Sequence, residues 1–264
     1  MPIVFRQLYA YRDFIRRAIV NDFRLRFVRS RFAVFWVIAQ PLIQVAIFAL
    51  ILSNVLDARL LGVASKFGYA IHVLAGLVIW GLFAECVSRV STCFVDHANS
   101  IKKILYPRAC APAISIGIAI CNFAILAALT IAFVLIAAEL DFMALISLVP
   151  VVIITAALGS GLGLIVGTFN VFMRDAWQVA NAVLQFWFWF TPIVYPMTSI
   201  SADTASMLRW NPVFPLVDAA QNALLRGQAA SLEPLLYPAA VALALCASGF
   251  FIFRRATDEM ADAL

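Results

Sequence analysis

The chain offers few residues with which to do covalent chemistry. His72 and His97 lie far apart, and neither has neighbours at metal-ligand spacing. His72 sits inside an apolar run, where a structural imidazole is the plain reading. Five cysteines (Cys86, Cys93, Cys110, Cys121 and Cys246) form an odd set without CxxC or CxxH spacing. They read as small packing residues, and neither as a disulfide framework nor as a metal site. Glu85 and Arg89 are four residues apart, the spacing at which one helix joins opposite charges. An acid in such a setting invites a functional role, although it lies close to the charged end of its run. Residues 159–168, GSGLGLIVGT, are rich in glycine but lack the Gly-Lys-Ser/Thr ending of a phosphate loop. Gly159, Gly163 and Gly167 instead recur every fourth residue, a stripe that lets a second helix backbone approach. No metal site is expected, and the chain carries no motor of its own.

Binding chemistry is better represented. Residues 95–108, VDHANSIKKILYPR, stand between two long apolar runs and close on Pro107. Lys102, Lys103 and Arg108 would suit any cytoplasmic loop. Asn99, Ile101, Ile104, Leu105 and Tyr106, however, give an apolar face too large for a solvated one. A short helix whose tip docks on a soluble partner accounts for both. Phe186, Trp187, Phe188, Trp189 and Phe190 form an unbroken aromatic run, with Tyr195 beyond it and Trp36, Trp80 and Phe83 in other runs. Aromatic belts at the headgroup level are common. Five consecutive rings point all round a helix, so some must face protein or a pore. Ring faces pack on the C–H faces of sugars, which suits a conduit for a polyhydroxylated chain.

These residues are positioned by membrane-spanning helices. The chain is 64% hydrophobic and 12% charged with a mean hydropathy of +0.98, where a soluble domain is about 45–50% apolar and about 25% charged. Uncharged or nearly uncharged runs predict six α-helical spans, at about 32–56, 67–90, 109–138, 142–173, 176–191 and 235–253. The short alternating strands of an outer-membrane barrel are not the pattern here. Fifteen Lys and Arg residues fall on one side of this topology, among them Arg6, Arg24, Arg26, Arg29, Arg31, Arg89, Arg174 and Arg254. Arg59, Lys66, Arg209 and Arg226 fall on the other, which makes both termini cytoplasmic. The net charge of +5 is therefore topological, and no nucleic-acid partner is expected.

Residues 1–31 show Leu8, Tyr11, Ile15, Ala18, Ile19, Phe23 and Phe27 at helical spacing, with Arg16, Arg17 and Arg24 on the other face. This predicts an amphipathic interface helix, either a plain anchor or a slide helix that also meets a partner or lipid-linked substrate. Glu139, Leu140 and Asp141 make a tight turn that sets spans three and four as a hairpin. Between spans five and six, Pro192, Pro196, Pro212 and Pro215 interrupt any long helix, while Leu216, Val217, Ala220 and Leu224 recur at helical spacing. Short re-entrant helices over 192–227 on the outer side satisfy both facts. Residues 254–264 form a cytoplasmic tail.

The chain resembles permease subunits of ABC-2-type exporters, in the branch that exports O-antigen, teichoic acid and capsular polysaccharide. The resemblance rests on DFRLRFVRSRFAVFWVIAQPLI, LAGLVIWGLFAECV, VDHANSIKKILYPR, GLIVGTFNVFMRDAWQV, LQFWFWFTPIVYP and LRWNPVFPLVDAAQ, in that order. It implies a homodimer with two copies of a separate ATPase, which binds ATP and Mg while this chain holds no cofactor. It also implies a glycan on a polyprenyl diphosphate lipid as cargo, moved across the bacterial inner membrane. By motif, Asp96–Arg108 matches the coupling helix, and Arg29–Trp36 the junction into span one. Asn170, Arg174 and Asp175 match the inner end of span four; Pro192, Pro196, Asn211, Pro212 and Asp218 match the outer gate. Two rivals remain: the same fold exporting a small amphiphile or drug, and an enzyme acting on a polyprenyl lipid. The latter needs a cluster of acids or histidines that Glu85 and Asp96 alone do not make.

Overall fold

The computed structural model describes residues 6, 8–29, 39, 43, 47, 67–96, 107–137, 141–197, 200–257 and 259–260. Among them, regular structure is helical throughout. The elements are α1 (Arg12–Arg29), α2 (Gly68–Asp96), α3 (Cys110–Ala137), α4 (Phe142–Ile146), α5 (Val149–Phe172), α6 (Ala176–Trp189), α7 (Ala202–Leu208), α8 (Phe214–Arg226) and α9 (Leu236–Ala256). A 3-10 turn, Glu233–Leu235, leads into α9.

Four of these segments are long and apolar enough to cross a membrane: α2, α3, α4 with α5, and the 3-10 turn with α9. The predicted first span, including Trp36, lies outside the described residues apart from Ala39, Ile43 and Ile47. The predicted fifth span is α6, whose 14 residues extend about 21 Å at 1.5 Å each, short of a ~30 Å hydrocarbon core. The run at 142–173 is not one continuous helix. It breaks at Ser147–Leu148, because Pro150 lacks an N–H and fits only the first turn of α5. Asp141 caps α4 by accepting from the Met143 N–H at 2.8 Å.

α2 is the central post. Of its most apolar stretch 78% is buried, against 22% in α3 and α9, so the latter two present most of their surface outward. Lipid is as apolar as leucine, so close packing must hold such helices together, in place of water exclusion. The glycine stripe provides it. A Cβ added at Gly159 would stand 2.7 Å from the Phe83 carbonyl, and one at Gly167 2.6 Å from the Val90 carbonyl. α5 therefore lies on α2 backbone to backbone, as the spacing predicted. The opposite face of α5 uses a second pair, Gly161 and Gly249, to seat α9: a Cβ on Gly161 would lie 2.7 Å from the Cys246 nitrogen.

α3 packs beside α2, and α1 lies along α3 with Ile19 over Gly117. Arg16, Arg17 and Arg24 are exposed while Ile15, Ala18, Ile19 and Phe23 are half-buried. The chain between α6 and α9 carries two short helices, as the prolines required. Leu216, Val217, Ala220 and Leu224 of α8 are buried against the Gly68 half of α2. α8 ends at Gly227, whose φ of 63° is the left-handed conformation that favours glycine.

Candidate functional site

A groove of about 840 Å³ runs between α2 and α6. α2 contributes side chains at every third or fourth position, among them Trp80, Glu85, Ser88, Arg89 and Thr92. α6 faces it with Trp177, Asn181, Gln185, Phe188 and Trp189. The two helices run in opposite senses, so the groove is graded. Toward Gly68 its walls are rings: Trp80 meets Phe188 at 5.7 Å between centroids, nearly edge to face, and Phe188 meets Trp189 at 5.4 Å. Toward Asp96 the walls are mainly amides, hydroxyls and an ion pair, with Trp177 as the one further ring. Arg89 donates from Nε to Glu85 Oε1 at 2.7 Å, and Asn122 of α3 donates to the same oxygen.

The Asp96 end of the groove is tied down by polar contacts. Asn170, buried near the end of α5, donates to the Ser91 carbonyl at 3.1 Å and accepts from the Trp177 N–H at 3.3 Å. One amide thus joins α2, α5 and the start of α6. Arg174 and Asp175, one turn on, are exposed. Phe94 at the end of α2 stacks on Phe253 of α9, centroids 5.3 Å apart and planes 10° apart. Arg108 donates to the Thr257 carbonyl, and Met260 is fully buried in the same cluster as Phe94 and Ala111. The chain's last described residues therefore brace both ends of the segment that leads from α2 to α3. Asp96 is exposed, and Pro107 is half-buried. Asn99, Ile101, Lys102, Lys103, Ile104 and Tyr106 lie outside the described residues.

The other end is knotted around Asn211. Its Oδ1 accepts from Trp187 Nε1 at 2.9 Å and from the Val213 N–H at 3.0 Å. Its Nδ2 donates to Thr191 Oγ1 at 2.9 Å and to the Phe190 carbonyl at 3.2 Å. Gln221 donates to the Pro192 carbonyl at 3.2 Å, and Tyr69 of α2 donates to the Val194 carbonyl. Pro192 is buried, while Pro196 and Pro212 are half-buried in the turns on either side of α7. Burial raises the Asp218 carboxyl above its usual range, opposed by a hydrogen bond from Asn222 and by the charge of Arg226.

With this geometry in view, the chain can be compared with known proteins. A family model described as ABC-2 type transporter matches residues 16–225, well over half of the sequence. The chain belongs to the ABC-2 type transporter family. It is 23% identical over 261 residues to the O-antigen export system permease protein RfbA of Myxococcus xanthus, covering 98% of each chain. A protein of the same name from Klebsiella pneumoniae is 24% identical over 198 residues, covering 75% of this chain and 74% of its own.

In this ABC-2 chain the aromatic residues singled out from sequence divide into two sets. Trp80, Phe188 and Trp189 line the groove. Phe83 does not: it is fully buried beneath α5, and its ring meets Trp187 edge-on at 5.3 Å. Trp187 points the same way and spends its N–H on Asn211, so this pair is core. Phe190 is exposed, and Tyr195 donates to the Trp189 carbonyl at 2.7 Å. Among the predicted interface arginines, Arg24 is exposed on α1. Arg31, and the side chains of Arg26 and Arg29, lie outside the described residues. Sequence reasoning found the rings of the α6 wall but missed its polar part. Its signal was there: Gln178, Asn181 and Gln185 recur at helical spacing in an uncharged run, the last two four apart. Asn122, a lone amide in the third run, was the matching sign for the Glu85 partner.

Proposed function

We propose that this ABC-2 chain is the membrane subunit of an ATP-driven polysaccharide exporter. Working as a homodimer with two copies of a separate ATPase, it passes a polyprenyl-diphosphate-linked glycan from the cytoplasm to the outer face of the bacterial inner membrane. The observation that carries this reading is the graded groove between α2 and α6. Rings at one end accept the C–H faces of sugars, while amides and an ion pair at the other exchange hydrogen bonds with hydroxyls. A site for a small amphiphile would be enclosed and lined mainly by apolar groups. The near full-length similarity to a protein named as an O-antigen export permease points the same way. Both termini are cytoplasmic in this reading. α1 lies in the cytoplasmic interface, and the helices α7 and α8 close the outer end. The segment from Asp96 to Arg108 meets the ATPase, and closure of the ATPase dimer swings it. ATP and Mg belong to that partner; no covalent step occurs here.

The test is co-purification with the ATPase encoded beside this gene, followed by reconstitution. Two copies of each chain should elute together, and failure to associate in mild detergent would overturn the reading. Replacing Ile104 and Tyr106 together by Ala should leave the permease folded and the ATPase active, yet disconnect hydrolysis from export. Normal surface glycan in that variant would refute the docking role.

A further inference from the structure

Glu85 and Arg89 sit in the groove wall 11 and 7 residues from the Asp96 end of α2, about 16 and 10 Å at 1.5 Å per residue. Both side chains are partly exposed, 27% and 29%, and both face the groove. The salt bridge uses Arg89 Nε, which leaves the terminal guanidinium nitrogens without a protein partner among the described residues. Glu85 is held in turn by Asn122, which donates to the same carboxylate oxygen as Arg89. The result is a donor fork beside an acceptor, with no net charge between them.

We propose that Glu85 and Arg89, positioned by Asn122, form a net-neutral hydroxyl-binding step in the groove, which takes an uncharged polyhydroxylated chain and discriminates against a polyanionic one. The inference rests on the glycan reading above. An unpaired arginine at this depth would grip a carboxylate or phosphate with two parallel hydrogen bonds and hold it. Paired through Nε, the same guanidinium still donates to a sugar hydroxyl, and the adjacent carboxylate oxygen accepts from the next one. Each such contact is modest, as a conduit requires: a chain must bind well enough to enter and loosely enough to move on. Ser88 and Asn181 flank the pair within the groove and extend the same neutral hydrogen-bonding surface.

The full-length protein in lipid nanodiscs carries the test, through quenching of the groove tryptophans by two probes of equal length, maltoheptaose and heptagalacturonate. The wild type should bind the neutral probe more tightly by at least about tenfold, the weight of one hydrogen bond to a charged group. Glu85→Gln frees Arg89 and should invert that preference, with the acquired anion binding falling steeply as salt is added. Glu85→Gln with Arg89→Gln should restore the neutral preference. If Glu85→Gln does not yield folded protein, Arg89→Gln is read with the opposite sign: it leaves a bare carboxylate and should widen the neutral preference. A folded single variant with the wild-type ratio overturns the proposal while leaving the glycan reading intact. Failure of the wild type to bind either probe sinks both.

Discussion

Three glycines on α2 and α5 allow the packing argument to be tested with a matched set of alanine substitutions. At Gly167 an added methyl would stand 2.6 Å from the Val90 carbonyl, and at Gly159 2.7 Å from that of Phe83. Ordinary contact begins near 3.4 Å, so α2 and α5 must part by about 0.7–0.8 Å. A gap of that size forfeits roughly a quarter to a half of each dispersion contact along the seam, and overpacking of this kind costs about 1–3 kcal/mol. Alanine also improves helix propensity by up to about 1 kcal/mol over glycine. Gly81 isolates that second effect, because its methyl would meet only the Leu126 side chain at 3.8 Å. Propensity cancels between the sites, so Gly167→Ala and Gly159→Ala should each fall below Gly81→Ala by the overpacking cost alone. At about 2–4 °C per kcal/mol for a chain near this size, the difference is several degrees in Tm. Thermal unfolding of the purified protein in one detergent reads it directly. Equal melting of all three variants would refute the claim that α5 rests on α2 through a glycine seam.

Two further outcomes follow from the far end of the groove. Asn211→Ala strands Trp187 Nε1 and the Val213 N–H and should cost about 1–3 kcal/mol in thermal stability. A loss under half a kcal/mol would show that the knot is not structural. Asp218 has its carboxyl pKa raised by burial, so the folded state binds that proton more tightly than the unfolded state. Its contribution to stability is therefore present below the usual carboxylate range and is lost as pH rises through the raised value. Asp218→Asn should melt higher than the wild type at neutral pH, and the gap should close on acidification. A gap that widens toward acid would reverse the sign of the argument.

Much of this architecture was legible because the bilayer constrains it so strongly. Uncharged length alone located α2, α3, α5 and α9, and proline positions located the broken region that holds α7 and α8. The glycine stripe was readable too, since 159, 163 and 167 fall on one helix face whatever packs there. What the sequence could not show is which run packs on which. Only a few residues separate α3 from α4 in the chain, yet α5 finds its principal partners in α2 and α9. The aromatic run was ambiguous for a related reason. Consecutive rings point in all directions, and only the position of α2 decides that Phe188 and Trp189 face the groove while Trp187 faces Asn211. Phe83 was misjudged because a large ring three residues from Trp80 lies on nearly the same face. The close approach of α5 at Gly159 turns that small difference into full burial.

The same seam constrains how the proposed exporter can move. α2 leads into the proposed coupling segment at Asp96, carries Glu85, Arg89 and Trp80 along its length, and reaches the Val194 carbonyl through Tyr69. Glycine contacts lock it to α5, and α5 is locked to α9, so bending one of these helices would break backbone-to-backbone packing in both seams. In the proposed exporter, a push at that segment would therefore travel along α2 as displacement of a rigid body. α6 is held differently: among its described residues only Leu184 is buried, and its firm attachments are Asn170 at one end and Asn211 at the other. The groove lies between the locked helix and the loosely held one. Its width then depends on the two asparagine ties: with both in place α6 is pinned, and release of either would leave it held at one point and able to swing about the other.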